Sequence, residues 1–306
     1  MTTPVAHAFR YNNQERKAKR TPMYRLIFCD LDGTVITYER ALHPAVHEAM
    51  QAVANAGRFI TISSGRGFQL LKPFLSSLVI NAPVVGCNGG LIVEPATRKI
   101  LYVRPMPLAT AQDLVRWCQM EKLEVWVYLD DLETMLEWRP DGTGGILRRD
   151  GDMVAQVADP LSALIRPPHK LIVLPGSEEC VPPVIARLQQ HLGDQARVLA
   201  SSPKVIEVIM PGVSKADAMS RVATLVGVRR EETLAIGDGD NDVEMLEWAA
   251  CGIAMGNGTE RAKAAADWIA PTVATDTGAG RVQFTMLPSG AIMVTGRITP
   301  SFQVMS

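Results

Sequence analysis

The sequence predicts an α/β chain, a Rossmann-like parallel sheet flanked by helices with an α+β domain inserted into it. Two observations carry this expectation. Apolar strand-like runs alternate with helix-spaced segments in the first quarter of the chain and again in the last third. Between them the strand-like runs follow one another around only a few helices, the pattern of local pairing.

The elements follow in order. "YRLIFCD" reads as a buried strand, and "HPAVHEAMQAVANAG" as a helix with Gly57 near its end. "RFITISSG" is a strand, and "FQLLKPFLSSL" a helix that Pro73 bends or breaks. "APVVGCNGG" is a third strand of the sheet, running into a glycine turn. "LIVEPATRKILYV" is a hairpin around "EPATRK". "LATAQDLVRWCQMEK" is a helix with Leu108, Leu114, Val115 and Cys118 on one side. "EVWVYLD" and "ETMLEW" are strands, residues 140–168 are rich in turn formers, and "HKLIVLPG" is a strand. "ECVPPVIARLQQHLG" is a helix, and "RVLASS" and "VIEVIM" are strands. The alternation resumes with the helix "SKADAMSRVATLVG", the strand "ETLAIGDGD", the helix "DVEMLEWAA", the strand "CGIAMGN" and the helix "TERAKAAAD". "WIAPTV" is the last core strand, and "RVQFTMLPSGAIMVTGRI" a hairpin around "PSG".

These elements give a core domain at 23–90 and 201–288 and an inserted α+β domain at 91–200. Residues 1–22 are polar and basic, lack the apolar stretch of a secretory signal, and read as a disordered tail. Residues 289–306 form a C-terminal hairpin or tail, either an edge strand pair or a dimer contact.

Composition removes several classes of function. The net charge of −1 offers no electrostatic footprint for nucleic acid or an anionic membrane. No apolar run reaches the roughly 18–20 residues of a membrane span. The 5 cysteines are odd in number and scattered, with no CxxC, which points to the reducing cytoplasm and away from a disulfide or a zinc site. The histidines at 7, 43, 47, 169 and 191 show no ligand spacing and read as surface or core residues.

The chemistry lies at the ends of strands. "LIFCDLDG", "FITISSGR", "PVVGCNGG" and "TLAIGDGDND" are each apolar runs that finish in polar groups and glycine. In a parallel sheet such ends share one edge, where open α/β sheets bind ligands. Carboxylates crowded there repel unless a cation sits among them, and an all-oxygen donor set suits Mg2+. Ser64 offers a hydroxyl to a phosphoryl oxygen, and Lys215 opens a helix as a point charge for phosphate. Metal, hydroxyl and lysine around a reactive carboxylate amount to a phosphoryl-transfer site. Asp240 is either a loop residue or part of that site. Arg66 either pairs with a carboxylate or lines a pocket. Asn88 is either a left-handed turn residue or a site residue.

"DLDGT" at 30–34, "SSGR" at 63–66, Lys215 in "GVSKADAM" and "GDGDND" at 237–242 resemble the ordered motifs of the haloacid dehalogenase superfamily. The insertion between the second and third motifs resembles the type II (IIB) cap of its Cof-type phosphatases, and "CNGG" is similar to their Asn-Gly turn before the cap. The resemblance implies that Asp30 is the nucleophile, forming an aspartyl-phosphate, and Asp32 the general acid/base. It implies that Ser64, Gly65, Lys215 and Asn241 hold the phosphoryl group. Mg2+ would be held by Asp30, the Asp32 backbone carbonyl and Asp238, with Asp242 orienting the lysine and the metal. The chain departs from the pattern at Ser64, where threonine is common, and at Ala216, where glycine usually follows the lysine. It departs again at "TDTGAGRV", where an Asn-x-x-Gly turn is frequent. The expected function is a Mg2+-dependent phosphatase, monomer or homodimer, acting on a small phosphorylated metabolite such as a sugar phosphate. The alternatives are a phosphomutase or other phosphotransferase, and a non-enzymatic phosphometabolite-binding regulator.

Overall fold

The structure, a computed structural model, describes residues 24–37, 42–129, 132, 134–141, 147–149, 153–157, 159–202, 204–270, 283–286 and 292–295. The expected tail at 1–22, "TDTGAGRV" and the "PSG" turn lie outside them. The chain divides into two compact units. One is Met1–Ile62 with Val79–Ala82 and Ala223–Ser306, and the other is Ser63–Leu78 with Pro83–Val222.

The first unit opens with β1 (Leu26–Cys29), α1 (Pro44–Asn55) and β2 (Phe59–Ile62). All four residues of β1 are buried, as a strand covered on both faces requires. His43 caps α1 by accepting a hydrogen bond from the Ala45 N–H at 3.1 Å, and Pro44 takes the first turn, where no donor is needed. Ala49, Met50 and Val53 form its buried face.

In the second unit, α2 (Phe68–Leu75) contains Pro73 without a break. The proline falls in the last turn, so the helix simply ends two residues later. Then come β3 (Val84–Gly86), β4 (Leu91–Val93) and β5 (Ile100–Val103). Sequence reading placed β3 in the parallel sheet; its Val85 does bridge Ser63 in parallel, just past the end of β2, while its longer pairing is antiparallel, in a sheet of order β3-β4-β5. Asn81 takes the earlier part of the β2 edge. Its side-chain oxygen accepts from the Ile60 N–H at 2.8 Å and its amide donates to the Arg58 carbonyl at 2.8 Å. Its own backbone N–H donates to the Ile60 carbonyl at 3.2 Å. Asn81 thus pairs that part of the edge, Val85 bridges Ser63 just beyond it, and Pro83 lies between them without a donor of its own.

Next come α3 (Leu108–Met120), β6 (Glu124–Tyr128), β7 (Thr134–Trp138), β8 (Leu147–Arg149), β9 (Met153–Val157), α4 (Pro160–Ala163), β10 (Lys170–Leu174), α5 (Val181–Leu192), β11 (Arg197–Ser202) and β12 (Val205–Ile209). The strands form one sheet of order β11-β12-β10-β6-β7-β9-β8. β8 and β9 were not expected, because the turn formers of 140–168 outweighed the short runs between them. Leu114, Val115 and Cys118 of α3 and Val184 and Leu188 of α5 share a core with Val125, Val127, Leu171, Val173, Ile206 and Val208 from one face of this sheet. The opposite face carries Trp126, Tyr128, Met135 and Ile172. The sheet runs past the expected boundary at 200, since β12 is hydrogen-bonded on both sides, to β10 and β11.

The unit boundary falls within α6 (Lys215–Leu225). The first unit then adds β13 (Thr233–Gly237), α7 (Val243–Trp248), β14 (Cys251–Ala254), α8 (Glu260–Ala265), β15 (Trp268–Ile269), β16 (Gln283–Met286) and β17 (Ile292–Thr295). Its main sheet has order β15-β14-β13-β1-β2, and every pair in it is parallel. β16 and β17 pair antiparallel, Gln283 opposite Thr295. Among the described residues no helix is long and apolar enough to cross a membrane.

Candidate active site

The carboxylates gather where parallel strands end. Cys29 of β1 lies beside Ile236 of β13, so Asp30 and Asp238 leave the sheet at the same edge. The Asp30 N–H donates to the Ile236 carbonyl at 2.8 Å and fixes the start of the loop. That loop folds tightly, with the Val35 and Ile36 N–H groups donating to the Leu31 carbonyl at 3.0 and 2.9 Å. Asp30, Asp238 and Asp242 are all buried, and one carboxylate oxygen from each lies within 4.8 Å of the others. Asp32 is half-buried and outside this trio.

Neutral donors reach two of the three. Thr34 Oγ1 donates to Asp238 Oδ1 at 3.2 Å, and Asn257 Nδ2 donates to Asp238 Oδ2 at 3.2 Å and to the Gly33 carbonyl at 2.9 Å. Asp242 Oδ2 accepts from the Asp238 and Gly239 N–H groups at 3.0 and 2.8 Å. One oxygen of Asp242 is therefore spent on the backbone of its own loop, which suits an orienting role. Three buried carboxylates, an all-oxygen donor set, fit a hard divalent cation such as Mg2+. Asn241 is half-buried and folds over Gly239, where an added Cβ would lie 2.4 Å from its Oδ1. Asp240 is committed elsewhere: Thr259 Oγ1 and Arg261 Nη1 donate to it at 2.7 and 2.9 Å, tying the loop to the start of α8.

The second unit holds the other candidate groups. The Ser64 N–H donates to the Val85 carbonyl at 3.0 Å, and its carbonyl accepts from the Asn88 N–H at 3.1 Å. Ser64 Oγ accepts from the Arg66 N–H at 3.1 Å. The Arg66 guanidinium lies over the Phe74 ring, 5.0 Å from its centroid. Asn88 adopts φ 53° and ψ 29°, the left-handed turn conformation, and its side chain donates to Glu207 Oε2 at 2.8 Å. Lys215 opens α6 and is 1% exposed. Gly89 lets the Asn88 turn press against the backbone before that lysine. Its φ is +104°, and a Cβ there would lie 2.0 Å from the Ser214 carbonyl oxygen.

Sequence reading missed Thr34, Asn257, Glu207 and Lys170. Thr34 stood inside the quoted "DLDGT". Asn257 follows β14 in "CGIAMGNG", which repeats the pattern of an apolar run ending in glycine and a polar group. Glu207 is a lone acid inside the apolar run "VIEVI".

A parallel sheet with a buried acidic trio at its carboxyl edge, in a chain that also carries an α+β unit, presents the ligand-binding edge of an open α/β enzyme. The profile of the haloacid dehalogenase-like hydrolase family matches residues 27–281, and the chain belongs to that family. It is 26% identical over 250 residues to the 5-amino-6-(5-phospho-D-ribitylamino)uracil phosphatase YitU of Bacillus subtilis, covering 78% of this chain and 88% of that protein. It is 26% identical over 265 residues to the pyridoxal phosphate phosphatase YbhA of Escherichia coli, covering 82% of this chain and 95% of that one. The crystal structure of a haloacid dehalogenase-like hydrolase from Bacteroides thetaiotaomicron superposes with a TM-score of 0.72 at 26% identity, over 81% of this chain and 94% of that one.

Proposed function

We propose that the protein is a Mg2+-dependent phosphatase that hydrolyses a small phosphorylated metabolite through an aspartyl-phosphate on Asp30, acting in the cytoplasm as a monomer or homodimer. The observation that carries this reading is the buried trio at the sheet edge, with Asp30 as its member on β1's end. The phosphatase names of the relatives support the substrate class.

Asp30 attacks phosphorus with one carboxylate oxygen, and the leaving alcohol departs with a proton supplied by Asp32. Asp32, now ionised, takes a proton from the water that attacks the aspartyl-phosphate, which releases phosphate and restores Asp30. Ser64, the Gly65 N–H, Lys215 and Asn241 are the groups assigned to the phosphoryl oxygens. Asp30, the Asp32 carbonyl and Asp238 would hold Mg2+, which when bound neutralises charge on the phosphoryl group. Asp242 keeps the Asp238 loop in shape by accepting its N–H groups.

The test is phosphate release from a panel of phosphorylated metabolites, with Mg2+ and with EDTA, for wild type and Asp30→Asn. Release that requires both Mg2+ and Asp30 is expected, with the variant down by about 10^4-fold or more. Comparable turnover by Asp30→Asn would remove Asp30 as nucleophile. An isomerised sugar phosphate without free phosphate would make the enzyme a mutase.

A further inference from the structure

Glu207 of β12 and Lys170 of β10 form an ion pair, Nζ to Oε2 3.2 Å, with the two residues only 4% and 1% exposed. Burying such a pair gives little net stability unless its remaining hydrogen-bonding capacity is used. Here it is used on two turns. Lys170 Nζ donates to the Gly65 carbonyl at 2.6 Å, and Asn88 Nδ2 donates to Glu207 Oε2 at 2.8 Å. A Cβ on Gly65 would lie 3.1 Å from Glu207 Oε1 and 3.2 Å from Asn88 Oδ1, so the Ser64–Gly65 turn sits flush against both. The Tyr128 ring closes the lysine's other side, 5.0 Å from Nζ to its centroid. Cys87 and Asn88 both have φ of 53°, and consecutive non-glycine residues hold that conformation only when their surroundings enforce it.

We infer that Glu207 and Lys170 are positioning residues that hold Ser64 in place through the turns on either side of it. Lys170 fixes Gly65, the residue after Ser64. Glu207 fixes Asn88, whose N–H donates to the Ser64 carbonyl. β10 and β12 are neighbours in the sheet, with Leu171 paired to Val208, so the pair rides on one rigid surface. Neither residue is assigned contact with substrate. The inference rests on the phosphoryl-binding role proposed above for Ser64.

The experiment compares wild type, Glu207→Gln, Ser64→Ala and the double variant in the full chain, with p-nitrophenyl phosphate as substrate. Hydrogen exchange is followed by mass spectrometry on peptides from 63–69 and 86–91. Glu207→Gln is expected to lower kcat by about 10^2-fold with KM nearly unchanged, the size of effect expected of a misplaced catalytic contact. In the Ser64→Ala background the same change should cost less than about threefold, because the two act as a unit. Exchange should quicken in the two turn peptides and not in those of β1 and β13. Full additivity with Ser64→Ala, or exchange rising across the whole chain together with a fall in Tm, would overturn the inference and leave the pair a packing feature. If Glu207→Gln does not fold, Lys170→Met/Glu207→Leu removes both charges together, and the same kinetic and exchange criteria apply to it. A wild type that releases no phosphate would sink the phosphatase reading alone, since local exchange still decides whether the pair fixes the turns.

Discussion

Thr34 donates to one oxygen of Asp238 and Asn257 to the other, and these bonds help to orient the carboxylate. Thr34→Val and Asn257→Ala should each weaken Mg2+ binding by about 10–100-fold, the usual effect of removing a partner that orients a metal ligand. Titration calorimetry with Mg2+ on the full chain measures this without reference to turnover. Unchanged affinity in both variants would mean that Asp238 is oriented by something else. Asp30 and Asp238 were legible in the sequence because an acid that ends an apolar run has few structural uses. Asn257 was not, since an Asn-Gly pair after a strand reads equally well as a turn. Asn88 shows the reverse limit. It was noticed beside the motifs, yet its side chain serves Glu207, a partner 119 positions away that no local pattern announces.

At the scale of elements, hydrophobic periodicity located most helices and strands and said little about partners. α3 buries the face expected of it, because Leu114, Val115 and Cys118 share a stripe at helical spacing. β3 was expected beside β2 and does bridge Ser63 in parallel, but its antiparallel pairing with β4 was not legible, since local sequence does not name a strand's partner. Asn81 takes the earlier part of the β2 edge, where it bonds to Arg58 and Ile60. Asn81→Ala should therefore destabilise the protein by about 1–3 kcal/mol, the range for stranding a buried backbone donor, as read from urea unfolding. The buried Ile60 N–H is the group left stranded. Gly89→Ala should be worse, since it combines a φ of +104° with a clash against the Ser214 carbonyl that only backbone movement can relieve. A Gly89→Ala protein with wild-type Tm would show that the turn can move away from Ser214.

Across the whole molecule, the cysteines report how completely each unit is closed. Burial pushes the Cys87 thiol up to about 12; Lys170 opposes the shift and Glu207 adds to it. Burial also raises the Cys118 thiol, with Glu121 adding to the effect. Cys29 and Cys251 are buried as well, while Cys180 is exposed. A thiol reagent at neutral pH should label Cys180 quickly in the folded protein and reach the other four only after denaturation. Fast labelling of Cys87 would mean that its unit opens readily. The limits of the insertion were the least legible large-scale feature. Composition changes near residue 91, but the compact unit begins at Ser63 and ends at Val222, drawn by pairing and packing that local sequence does not record.

The main sheet also has a consequence for how the chain is made. β1 lies between β2 and β13, so one of its edges stays unpaired until Thr233–Gly237 leaves the ribosome. At translation speeds of roughly 5–20 residues per second, the interval between Ile62 and Thr233 lasts on the order of 10–30 s. For that time the nascent chain carries an open apolar strand edge, the kind that chaperones shield and that pairs with neighbouring chains when they do not. The second unit, made without interruption apart from Val79–Ala82, is free to fold during the same wait. Chains stalled before residue 233 should therefore be aggregation-prone through β1, and chains stalled beyond Ile269, with the five strands complete, should not.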